Sequence, residues 1–176
     1  MLAVTPSVLQ AYGYQEKEYL FSGTAEAYTF TGPPVTDGRW TVAADAVSVA
    51  PYTTRIVVFT PVDPGRFSGT VDVEWDNVSV GDDVLADLIY DHATPFRNGD
   101  AYVGVSAQFV GVTAAKLDDP VRYASLVDLG DSYSYDMFSQ AGMALWTHPG
   151  LFGGQRPRAL IAGGESQSAG RLTIRE

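Results

Sequence analysis

The sequence predicts an α/β protein: a mostly parallel sheet with helices on both faces, preceded by an antiparallel, β-rich N-terminal portion. Three observations predict it. Up to about Asn77 the chain reads as short β-branched and aromatic runs cut by turn residues. After Asn77 the apolar period lengthens, and helical stripes alternate with short apolar strands. Near residue 160 a short strand runs straight into a cluster of Gly and Ser, a strand-to-helix corner.

In order, strands are expected at 28–31, 40–44, 52–60 and 70–75. Gly32-Pro33-Pro34, Asp37-Gly38 and Asp63-Pro64-Gly65 separate them with residues suited to turns. The run Ile56-Val57-Val58-Phe59 fits a strand covered on both faces, whereas Val71, Val73 and Trp75 alternate with Asp72 and Glu74 and imply one wet face. Asp82-Asp83 opens a helix carrying Val84/Leu88 and Leu85/Ile89 at i, i+4, with Asp82, Asp83 and Asp87 on a solvated face, and Pro95 and Asn98-Gly99 end it. A strand follows at 101–108, and Asp118-Asp119-Pro120 is a turn. Asp131 or Ser132 is placed to cap a helix with the stripe Tyr135, Phe138, Gly142 and Leu145, which stops before Pro149-Gly150. Tyr133, Tyr135 and Phe138 read as core packing, with Tyr133 the exception that faces a cleft. The last strand is 158–162. One domain is expected over 1–176, with a β-rich segment at 1–50 and the core at 51–176.

Composition removes several functions. The 176 residues hold 11 Lys+Arg against 21 Asp+Glu, a formal charge of −10, with no basic cluster, so nucleic acid is a poor partner. Zero cysteines exclude disulfides, thiol catalysis and cysteine-ligated zinc, and two histidines are too few for a histidine-rich metal site. Neither a metal nor a cofactor is expected. No window reaches the ~18 uninterrupted apolar residues of a membrane span. The first residues lack the basic start of a secretory signal, so the default expectation is cytoplasmic.

One segment carries chemistry. In RALIAGGESQSAG (158–170) an apolar strand is followed by Gly164-x-Ser166 among small residues, the pattern of a nucleophile elbow. Such a serine sits on a tight turn, and its neighbours must be small because the backbone passes close to adjacent strands. The position two after the serine is Ser168 rather than the usual glycine. In this geometry Ser166 is the candidate nucleophile, and the backbone N–H of Gln167 points at the developing oxyanion. The plainer reading is a chain reversal with Ser166 capping a helix. Gln108 and Ser106 lie at a strand end, where open α/β sheets bind ligands.

The chain also resembles the actinobacterial-type α/β-hydrolase domain proteins. The resemblance rests on EYLFSGTA (18–25), PYTTRIVVFTPVDPGRFSGTVDVEW (51–75), NVSVG (77–81), AYVGVSAQFVGV (101–112), DPVRYASL (119–126), GDSYSYDMFSQAG (130–142) and RALIAGGESQSAG. It implies a partial α/β-hydrolase fold and a serine hydrolase that cleaves small-molecule esters through an acyl-enzyme on Ser166. It also implies that the loop Asp76-Asn77-Val78-Ser79 lies beside the nucleophile. Asn77 or Val78 would then give the second oxyanion N–H. Ser79 of that loop, Gln108 by its strand-end position and Tyr133 as the cleft-facing aromatic are the expected substrate contacts. The family has Gly-Gly near the end of that loop, where this chain reads Ser79-Val80-Gly81.

In this fold the acid and the histidine follow the serine in the chain. Here ten residues follow Ser166, none of them histidine, and His92 and His148 both precede it. Both are expected to be structural or solvent-facing. The expectation is an N-terminal part of a hydrolase, inactive alone, whose last strand leaves an apolar edge open to self-association. The competing expectation is a non-catalytic, β-rich carbohydrate-binding or interaction module over 28–75, with Trp40 and Tyr52 as contact aromatics.

Overall fold

Proline begins the first element. In the computed structural model, which describes residues 1–33, 36 and 41–173, α1 (Pro6–Tyr12) opens on Pro6, whose fixed φ suits a first helical turn. The chain then runs out as β1 (Tyr14–Phe30) and returns as β2 (Val42–Pro61). Their antiparallel ladder extends from Tyr14↔Pro61 to Phe30↔Val42, with a register shift between Glu26 and Ala27. Most of β1 escapes the sequence pattern because Glu16, Lys17 and Glu18 sit on an edge strand. The expected strand at 40–44 is present from Val42 onward. Trp40 and the Asp37-Gly38 turn lie outside the described residues.

The rest alternates. β3 (Thr70–Trp75), α2 (Ala86–Asp91), α3 (Ala93–Asn98), β4 (Ala101–Val105), α4 (Phe109–Asp118), α5 (Ser134–Thr147), β5 (Ala159–Gly163) and α6 (Gln167–Leu172) follow in turn. The five strands lie in the order β1-β2-β4-β3-β5. β2 is antiparallel to both its neighbours, while β4, β3 and β5 pair in parallel, so every strand but β2 runs the same way. This is the expected mixed α/β architecture. The expected strand 101–108 ends at Val105, and α4 starts four residues later.

Period-two alternation divides the core into two layers. On one face Val71, Val73, Trp75, Val103 and Val105 pack against Ala141 and Leu145 of α5. On the other, Val57, Phe59 and Tyr102 pack against Leu9, Leu88 and Phe96 of α1, α2 and α3. The buried stripe of α5 is Ser134, Met137, Ala141 and Leu145. Gly142 is not part of it, while Tyr135 and Phe138 flank it, with Phe138 stacked on Trp75 (centroids 4.8 Å apart, planes at 25°).

Three expectations are corrected here. The helix from Asp82 is two short helices meeting at His92. Its first residues are not helical, since Val84 bridges to Asn77 and Leu2 as extended backbone. Asp83 is not on a solvated face; it is fully buried. The wet face of β3 is dry at Glu74, because α2 lies on it and its first turn needs acceptors. Glu74 accepts from the N–H groups of Asp87 (2.9 Å) and Leu88 (3.2 Å) and from the Tyr102 hydroxyl (2.6 Å).

Asp72, on the same face, is half-buried beside Asp100. Burial first, and the Asp100 charge second, push its carboxyl up to about 6 from 3.8. The folded state therefore holds a proton that the unfolded chain has released, and stability falls as pH rises between about 4 and 6. Asp72→Asn is expected to raise the melting temperature at pH 7 and to flatten its decline across that window. A melting curve series from pH 4 to 7 identical to that of the parent would contradict this.

Candidate active site

Beyond Gly163 the chain reverses through Gly164-Glu165-Ser166 into α6. Ser166 stands at φ 56°, ψ −116°, the sole residue other than glycine with positive φ among the described residues. Such a conformation costs of order 1–3 kcal/mol and persists where surrounding contacts fix it. Those contacts are present. The Ser168 hydroxyl donates to the Glu165 carbonyl (2.8 Å) and accepts from the Glu165 N–H (3.0 Å), and the Ser168 N–H reaches the same carbonyl (3.1 Å). Ser168, at the position where glycine is usual, thus ties the turn together from inside. Gly164 is required by the same closeness: a Cβ there would stand 3.0 Å from Ser168 Oγ and 3.2 Å from the Ala169 nitrogen. The Ser166 side chain is exposed at the head of α6.

The loop 76–85, which leaves the end of β3, lies against this turn. Asn77 Nδ2 donates to the Glu165 carbonyl (2.8 Å), and Asn77 Oδ1 accepts from the Ser79 N–H (2.8 Å). The Asn77 N–H goes to the Val84 carbonyl (2.9 Å), and the Val84 N–H returns to Asn77 (2.8 Å), closing the loop at its base. Asn77 therefore cannot be the expected oxyanion donor; its backbone N–H is already spent. Ser79 is exposed near the loop tip. The N–H groups of Val78 and Gln167 have no hydrogen-bond partner among the described residues.

Behind the turn a polar chain fixes α6. Gln108 is buried, and its Oε1 accepts from Trp75 Nε1 (3.2 Å) and Gln167 Nε2 (3.0 Å). Its Nε2 donates to Asp131 (3.4 Å), which also takes Arg171 Nη2 (2.6 Å) and the Phe109 N–H (2.9 Å). The Arg171 guanidinium sits 5.6 Å from the Trp75 ring. Gln108 is thus no open pocket wall: both ends of its amide are engaged in holding the residue after Ser166. Asp131 does not cap α5 as expected; its carboxylate serves the first turn of α4. Its link to Arg171 gives no local signal in the sequence, since the two are 40 residues apart. An apolar cavity of about 410 Å³ borders Trp75, Tyr135, Phe138 and Arg171.

The remaining candidates lie elsewhere. Tyr133 packs on the cluster of Ala25, Tyr52 and Met137. Tyr52 is itself buried and donates to Gln140 (2.9 Å), so it presents no carbohydrate-stacking face. His92 lies between Tyr12 and Phe96, edge-on to the first at 5.8 Å. His148 Nδ1 is 2.9 Å from the Ala144 carbonyl at the end of α5. Neither imidazole bonds to Ser166. Among the described residues no group of three His, Asp or Glu side chains is arranged to hold a metal ion, and no helix is long and apolar enough to cross a membrane. Compared with known proteins, the chain matches a family model described as an alpha/beta hydrolase domain over residues 1–174. No curated protein and no solved structure matches it.

Proposed function

The chain belongs to the alpha/beta hydrolase domain family, and from that premise we propose that Ser166 is the nucleophile of a serine hydrolase acting on small carboxylic esters. The observation that carries the reading is the positive-φ serine between β5 and α6 with two unspent N–H groups, Gln167 and Val78, on the elements flanking it. In the reaction the Ser166 Oγ attacks the ester carbonyl carbon, the carbonyl oxygen becomes an oxyanion, and the alcohol leaves as the acyl-enzyme forms. Preorganised donors stabilise that oxyanion, and removing one such donor typically costs ~10²–10³ in rate. Gln108 contributes by holding the Gln167 side chain.

The serine proton needs an acceptor, and no imidazole among the described residues supplies one. A single slow acylation is therefore the event to look for. With excess p-nitrophenyl acetate over hours, peptide mass spectrometry is expected to find the acetyl group on Ser166 ahead of other serines. An acetyl pattern spread over exposed hydroxyls, unchanged by Ser166→Ala, would sink the assignment.

We also propose self-association along β5. It pairs with β3 alone among the described strands, and Ile161 is 53% exposed on it. Sedimentation velocity should show concentration-dependent species larger than a monomer; a monomer at all concentrations speaks against it.

A further inference from the structure

Asn77 is buried, each of its polar groups has a partner, and the partners lie on three parts of the chain. Its backbone N–H and carbonyl close the base of the 76–85 loop against Val84 (2.9 and 2.8 Å). Its Oδ1 accepts from the Ser79 N–H (2.8 Å) inside the loop. Its Nδ2 reaches out of the loop to the Glu165 carbonyl (2.8 Å) and lies 3.4 Å from the Glu165 carboxylate. Among the described residues no other side chain or backbone group hydrogen-bonds the 76–85 loop to residues 164–166.

The Glu165 carbonyl belongs to the planar peptide unit that enters Ser166, so its direction sets one side of the rotation about φ at that residue. Ser166 stands at φ 56°, outside the regions a serine adopts freely. The other two bonds to this carbonyl come from Ser168, three residues on and part of the same turn. The Asn77 bond spans 88 residues and starts from a loop anchored to the sheet, where the Asp76 N–H bonds to Val105 (3.1 Å). Residue type follows from the partners. The Ser79 N–H needs an acceptor and the Glu165 carbonyl a donor, and a primary amide carries both. A carboxylate of the same shape keeps the first and turns an acceptor toward two acceptor oxygens.

We propose that Asn77 is a positioning residue: its side-chain amide couples the 76–85 loop to the Ser166 turn. Val78 follows Asn77 in the loop and Gln167 follows the turn, so the coupling holds their free N–H groups at a set separation. The coupling itself is independent of the reaction. Its effect on acylation rests on the hydrolase reading, in which those two N–H groups receive the oxyanion.

Amide hydrogen exchange followed by NMR on the 176-residue chain is the test, with the β1–β2 ladder as the control for an intact fold. In Asn77→Asp the Ser79 amide is expected to keep its protection, since its acceptor remains, while the Glu165 and Ser168 amides exchange about tenfold faster. In Asn77→Ala all three are expected to exchange faster. A residue that only fills space would not separate the two variants. Parent-like exchange at Glu165 and Ser168 in Asn77→Asp overturns the proposal, and so does equal loss at all three. Should that variant fail to fold, the parent decides: one Asn77 Nδ2 proton is expected downfield and protected, and free-amide shifts refute the coupling. Acetylation of Ser166 by p-nitrophenyl acetate is read separately and is expected to be about tenfold slower in Asn77→Asp. Equal acetylation of the two proteins refutes the positioning of the oxyanion donors. With the exchange pattern as expected, a parent that never acetylates at Ser166 faults the hydrolase reading and leaves the coupling standing.

Discussion

The 176-residue chain is expected to hydrolyse p-nitrophenyl acetate in the steady state no faster than buffer, with no difference between it and Ser166→Ala. A serine hydroxyl attacks weakly unless a base removes its proton, and an acyl-enzyme waits for a base to activate water. In serine proteases the loss of triad members costs about 10⁴–10⁶ in rate. Ser166 here has the strained turn and two unspent N–H groups but no imidazole bonded to it. His92 is packed against Tyr12, and His148 is turned to its own helix. On the function proposed above, a first equivalent of acyl group is expected to load slowly and turnover to stop there. Initial rates over a range of enzyme concentrations decide the matter. Ser166-dependent turnover by purified monomer would show that His92 or His148 reaches the site, contrary to the packing described.

Arg55→Met is expected to be the most damaging single substitution in the fold. Arg55 holds Asp83 at 2.9 Å, contacts Glu18 at 3.5 Å and donates to the Tyr123 hydroxyl at 3.2 Å. Removing it leaves Asp83, fully buried, as an unpaired charge, and breaking such a pair typically costs ~3–5 kcal/mol. Adding Asp83→Asn removes the orphaned charge, so the double variant should recover a large part of the loss. Urea denaturation gives both values. A single variant within about 1 kcal/mol of the parent, or a double variant no better than the single, would show that the pair is not ionised as described.

How legible all this was varies with the range of the interactions. The corner at Ser166 was readable because its requirements are local: a strand, a glycine two before, small residues after. Ser168 was a departure from pattern on paper, yet its hydroxyl fits the turn through partners three residues away. Asp83 was misplaced because its meaning depends on Arg55, 28 residues distant, whereas its neighbours gave it a plausible helix start. Gln108 lay near the expected place, but its work depends on Gln167, 59 residues on. The strand β1 was hidden because an edge strand tolerates Glu16, Lys17 and Glu18, which interrupt the apolar alternation. α4 was hidden by its abrupt start after β4 and by Gly111, a poor helix former whose lack of a side chain is what lets α4 approach Asp83.

The pairing of β5 with β3 has a kinetic side. β1 and β2 are neighbours in sequence, so their ladder zips from nearby ends. Thr70 and Ala159 are separated by about half the chain, so docking the strand that carries the Ser166 turn closes a long loop. Loop closure of that length is paid before any contact rewards it, which makes such pairings slow. With one partner strand and a short following helix, β5 also has the fewest contacts to lose. On this argument the serine corner is expected to join the sheet after the β1–β2 ribbon and to exchange its amide hydrogens sooner than that ribbon does.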